Sequence, residues 1–113
     1  MTKYMILYMA PMSSEEQYQS AGPEEGQKIM ALWMTWYGKY GASIVDGGVP
    51  LANGMDYTTN SGAKTHAPYA SGYSIIQADN MDQAHKIISD HPHLMMPGSS
   101  IQVLEMMPMP TSM

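Results

Sequence analysis

Gly72-Tyr73-Ser74-Ile75-Ile76-Gln77-Ala78 runs directly into Asp79-Asn80 and then Met81-Asp82-Gln83-Ala84-His85-Lys86-Ile87-Ile88, and the reading of this stretch decides the fold. The first seven residues, β-branched and aromatic with a Gly ahead and Asp-Asn behind, read as a strand. Asp79 or Asn80 then caps a helix, because a short side-chain oxygen satisfies a free N–H of the first turn. Gln83 falls near the third helical position, and Ala84, Ile87 and Ile88 share one face. Pro92 ends the helix, His93 to Ser99 is a loop, and Ile101-Gln102-Val103-Leu104-Glu105-Met106 is the last strand. The chain therefore closes on a strand–helix–strand unit, with a frayed tail from Pro108 to Met113.

Toward the N-terminus the same unit recurs. Tyr4-Met5-Ile6-Leu7-Tyr8-Met9 is apolar on both alternating faces, as expected of a central strand covered on both sides. Ser13 and Glu16 fit a capping box that starts a short helical turn ending by Gly22. Pro23 is suited to a first helical turn, and Glu24 and Glu25 complement the positive end of the helix dipole. Ile29, Trp33, Trp36, Tyr37 and Tyr40 recur at helical spacing, widened by Met30 and Met34, which predicts the main helix over 23–40 with Gly41 as its stop. Ser43 to Pro50 reads as a short strand broken by Gly47-Gly48. Asn53-Gly54 marks a turn, Met55 to Thr59 a third strand, and Asn60 to Pro68 a loop.

The order is β-α-β-β-α-β, an α+β class with the ferredoxin-like split plan, in a single domain spanning 1–113. Two helices would cover one face of a four-stranded antiparallel sheet. Because the strands are apolar on both sides, a second copy is the economical cover for the other face, so a homodimer is expected. Charged residues make up only 13% of the chain, and this independently argues for apolar surface hidden in a partner.

Composition excludes several functions. Five Lys and no Arg with a net charge of −5 cannot form the basic footprint that nucleic acid requires, and a highly anionic substrate lacks its bidentate clamp. With no Cys, disulfides, thiolate metal sites and thiol nucleophiles are excluded. The apolar run Tyr4–Ala10 is too short for a signal peptide or a membrane span, so a cytoplasmic location is expected. Fourteen Met and no Phe leave the flexible thioether to fill gaps that Phe usually shares.

With this order in place, the chain resembles the YCII-related family of dimeric α+β barrel proteins. The points of likeness are Lys3-Tyr4-Met5-Ile6-Leu7-Tyr8, the aromatic helix, Ile44-Val45-Asp46-Gly47-Gly48, Gly72 to Asp79, and Ser100 to Glu105. The resemblance implies a cleft lined by a His–Asp pair, with dehalogenase- or lyase-like catalysis in some members. Asp46 matches the Asp of the second strand. The early His does not recur, since no His precedes His66, so a catalytic His would come from elsewhere.

Asp46 is a carboxylate within an apolar strand. It faces either a polar site or the Gly47-Gly48 backbone in a turn-like bond. Asp90-His91-Pro92-His93 follows the second helix. His91 there suits the negative end of the dipole, and His93 is placed to enter the cleft as a general base. Asp46 and His93 are therefore the catalytic candidates, with Tyr8, Trp33, Trp36, Tyr37 and His91 as ligand-binding candidates. The aromatic stripe is either a pocket wall or plain core. His66, His91 and His93 with nearby Met offer a weaker metal alternative, their spacing being unspecific. The functional expectation is a cleft for a small apolar or aromatic metabolite, with cofactor-free acid/base catalysis, lyase- or isomerase-like. The alternative is a non-catalytic binding or accessory dimer. No cofactor is called for.

Overall fold

The computed structural model describes residues 1–11, 14–52, 54–59, 62–64 and 69–109. The capping box expected at Ser13, the Asn53 turn position and His66 lie outside these residues. Strand β1 (Thr2–Ala10) is followed by helix α1 (Ser14–Tyr40) and β2 (Ile44–Asp46). After β3 (Asp56–Thr58) and β4 (Gly62–Lys64) come β5 (Tyr69–Ala78), α2 (Met81–Ile88) and β6 (Ser100–Met106). Four strands form one antiparallel sheet in the order β2-β5-β1-β6, and β3 and β4 form a separate two-stranded hairpin. Two helices with an antiparallel four-stranded sheet make a mixed α+β protein compatible with the ferredoxin-like plan. The departures are the hairpin, which takes the expected third strand out of the main sheet, and β4, which occupies part of the expected loop 60–68.

Alternation sorts the sheet residues. Tyr4, Ile6, Tyr8 and Ala10 of β1 are buried, and Ser74, Ile76 and Ala78 of β5 lie on the same side. Against them pack Trp36 of α1 and Ala84, Ile87 and Ile88 of α2, with Trp33, Tyr37, Tyr40, Ile101 and Val103 around the edge. On the opposite face Met5, Leu7, Tyr73 and Ile75 are half-buried, while Leu104 and Met106 are exposed. β1 is therefore central but covered by helices on one side alone.

α2 begins as its sequence suggests. Asn80 Oδ1 accepts from Gln83 N at 2.9 Å, and Gln83 Oε1 accepts in return from Asp79 N at 2.6 Å. The first bond satisfies a first-turn donor and the second the N–H of the residue before the cap. In α1 the backbone leaves the helical region at Gly22, φ 78° and ψ 166°, immediately before Pro23. The helical segment that starts at Pro23 and ends at Tyr40 is the predicted one. Its last turn is tied to the chain beyond α2, where Lys39 Nζ meets Asp90 Oδ2 at 2.7 Å and the Tyr40 hydroxyl donates to the same carboxylate. Lys39 holds the Asp90 carboxyl below its ordinary range. The pair is solvent-exposed, so it orients more than it stabilises.

Candidate functional site

The site grows from the turn after β2. Asp46 Oδ1 accepts from Gly48 N at 2.8 Å, folding the strand end back on itself. Gly48 has φ 76°, and a Cβ there would lie 1.7 Å from the Tyr73 carbonyl oxygen, so only glycine permits this approach to β5. The approach delivers the Gly47 carbonyl to two hydroxyls, Ser74 Oγ at 2.8 Å and Tyr37 Oη at 3.0 Å. Since Ser74 donates its proton to that carbonyl, the Tyr8 hydroxyl must donate to Ser74 Oγ, at 2.8 Å. Burial raises the Tyr8 phenol above its ordinary value and keeps it un-ionised.

β5 carries a bulge that shapes the same region. Tyr8 pairs with Gly72 but Met9 pairs with Ala70, so Ser71 is the extra residue, the device that re-aims side chains beside sites. Ser71 Oγ donates to the Tyr8 carbonyl at 2.9 Å, and Leu51 N donates to the Ser71 carbonyl at 3.0 Å.

The two histidines around Pro92 play different parts. His91 is 1% exposed, boxed between Tyr8, Trp33 and Trp36 with ring centroids at 4.8, 4.5 and 4.4 Å. Its Nδ1 accepts from His93 N at 3.0 Å, capping the 3₁₀ turn Pro92–Met95. The neutral ring thus carries its proton on Nε2, which is buried with no hydrogen-bond partner among the described residues. Burial, helped by the nearby His93, pushes the His91 pKa down to about 3. His93 is also buried, and its Nε2 donates to the Met9 carbonyl at 2.9 Å. Burial outweighs that bond and the contact with the Ser100 backbone and lowers its pKa from the usual value, so both rings are neutral near pH 7.

Between α1, the Gly47–Pro50 turn, the β5 bulge and the segment 92–97 opens a cleft of about 700 Å³. Its walls are mostly apolar, with Ile29, Leu32, Trp33, Val49, Met95 and Met96 among them; Tyr8, Tyr37, Ser71 and His93 supply polar groups, and Glu25 and Lys28 come from the start of α1. Tyr8, Trp33, Tyr37 and His93 are therefore brought together as candidates on one cleft. Trp36 and His91 are not on its lining: Trp36 donates through Nε1 to the Ile87 carbonyl at 3.0 Å from within the core, and His91 lies behind Tyr8 and Trp33.

Asp46 is exposed, makes the turn-like bond, and is not a lining residue. The structure thus gives Asp46 and His93 separate partners, Gly48 N and Met9 O. Ser71, Met95 and Met96 were missed from sequence; Gly72 within a strand pattern is the signal that marks a bulge. Among the described residues no group of three His, Asp or Glu is placed to hold a metal, and no helix is long and apolar enough to cross a membrane. Set beside models of known protein families and curated protein sequences, the chain matches none of them.

Proposed function

We propose that this chain is a YCII-like small-molecule-binding protein, in which the cleft between α1 and the sheet takes an apolar or aromatic metabolite. The cleft carries the proposal. Its volume falls within the range usual for ligand sites, and a mostly apolar wall with a few convergent polar groups is their usual make-up. The strand order and the Asp46-Gly47-Gly48 turn support the family reading. Homodimerisation in the α+β barrel manner would cover the apolar sheet face of Met5, Leu7, Ile75 and Leu104.

The neutral fluorescent probe N-phenyl-1-naphthylamine tests the cleft. Its emission is expected to rise on binding and to be lost in Ile29→Asp, which places a charge on the apolar lining. An unchanged signal in that variant would exclude the cleft as the site.

One observation favours a second reading, cofactor-free proton transfer. His93 is a neutral imidazole on an apolar wall, a state from which it can take up a proton. Asp46 then acts as the holder of the turn. Exchange of the α-protons of 2-tetralone for deuterium in D2O, followed by mass spectrometry, is expected to be faster than the uncatalysed exchange, to survive Asp46→Asn, whose amide oxygen still accepts from Gly48 N, and to fall to the uncatalysed rate in His93→Ala. Equal turnover by His93→Ala and wild type would remove His93 as the base.

A further inference from the structure

The hydroxyl and imidazole protons of Tyr8, Tyr37, Ser71 and His93 on the cleft wall already have partners. Tyr37 donates its hydroxyl proton to the Gly47 carbonyl, Ser71 donates to the Tyr8 carbonyl, and His93 donates its Nε2 proton to the Met9 carbonyl. Each of these acceptors is a backbone oxygen, which leaves no freedom about which partner gives the proton. Tyr8 likewise gives its proton to Ser74, whose own proton goes to Gly47. What these lining groups still hold is lone pairs on the Tyr37 and Ser71 oxygens, whereas the His93 ring is engaged by the backbone of both Met9 and Ser100.

The other proton-bearing side chains on the lining are Gln17 and Lys28 of α1, the Trp33 indole, and Tyr73, which alternates onto the opposite face of β5 from Ser74. Lys28 is exposed and has Glu25 one helical turn away on the same lining. A carboxylate or phosphate beside Tyr37 and Ser71 would meet their lone pairs, with no Arg in the chain and a net charge of −5 to oppose it. A donor would meet acceptors already oriented by their own bonds.

We infer that the cleft takes a neutral molecule whose apolar body bears a hydroxyl, an alcohol or a phenol, donated to the acceptor oxygens of Tyr37 and Ser71. This inference rests on the cleft being a binding site.

Isothermal titration at pH 7.5 with 2-naphthol, 2-methylnaphthalene and 2-naphthoate tests it, since the methyl group replaces the hydroxyl at similar size. The naphthol is expected to bind about three- to tenfold more tightly than the methyl compound, the span of one neutral hydrogen bond, and the naphthoate at least about tenfold more weakly than the naphthol. Tyr37→Phe, which removes an acceptor and keeps the ring, is expected to shrink the naphthol's advantage. Equal binding of naphthol and methylnaphthalene, or strongest binding of naphthoate, would overturn the hydroxyl preference and leave the cleft standing. Failure of all three to bind, or binding indifferent to Trp33→Ala, would overturn the cleft and the preference together.

Discussion

Gly48 is the residue on which the site depends most. Any side chain there must adopt a positive φ and overlap the Tyr73 carbonyl at 1.7 Å. Gly48→Ala is expected to cost about 3 kcal/mol or more, from left-handed strain plus overpacking. Gly41→Ala, where a Cβ meets nothing within 4 Å, should cost far less; urea denaturation of the two variants measures the contrast.

His91 makes a second residue-scale prediction. Below the ordinary value of 6.5 the unfolded chain takes up a proton at this ring, whereas the folded chain refuses it until about pH 3. The unfolded state therefore binds more protons across that window, and stability falls as pH falls. The loss is about 3 kcal/mol between pH 7 and pH 4 from this group, and His93 shifts in the same direction. His91→Phe is expected to flatten the pH dependence measured by denaturation, while lowering stability at pH 7 through the lost cap on His93 N. An unchanged acid limb in the variant would show that His91 does not carry the effect.

At this scale the sequence was only half legible. Trp33 and Trp36 belong to one helical stripe, and nothing in their spacing tells which meets α2 and which meets the cleft. That division depends on where α2 crosses. His91 and His93 flank one proline, yet a single 3₁₀ turn puts the first in an aromatic box and the second on the cleft wall.

At the scale of elements, legibility followed local chemistry. A cap at Asp79 or Asn80, the apolar face of α2 and the segment 23–40 could be read directly because capping side chains, Pro and helical periodicity act over a few residues. Asn80→Ala should cost about 1 kcal/mol, read as a lower denaturation midpoint at unchanged slope. The hairpin of β3 and β4 was not legible in the same way. Gly62-Ala63-Lys64 has little strand preference of its own, and it becomes a strand by pairing locally with Asp56–Thr58. The bulge at Ser71 left a single trace, Gly72 within the strand pattern, since one extra residue in a ladder changes no composition.

For the whole molecule, shape is the guide. The chain measures 50 × 43 × 19 Å with a radius of gyration of 15.6 Å, against about 13 Å for a compact domain of 100 residues. It is a slab with helices on one side, and β1 reads as apolar on both faces because its outer face, Met5 and Leu7, is only half covered. Dimerisation through that face predicts a solution mass twice that of the chain, reduced to one chain by Leu104→Lys with Met5→Lys. A wild-type mass equal to one chain at all concentrations would contradict the dimer.

The cleft beside α1 is proposed to bind a small neutral aromatic molecule. Amide and indole NMR shifts during titration with 2-naphthol test it most directly. Saturable shifts are expected at the Trp33 indole, Gly47, Gly48, Ser71, Gly72 and His93, with the buried Trp36 indole little changed. Shifts confined to the outer sheet face, or none at saturating probe, would contradict it.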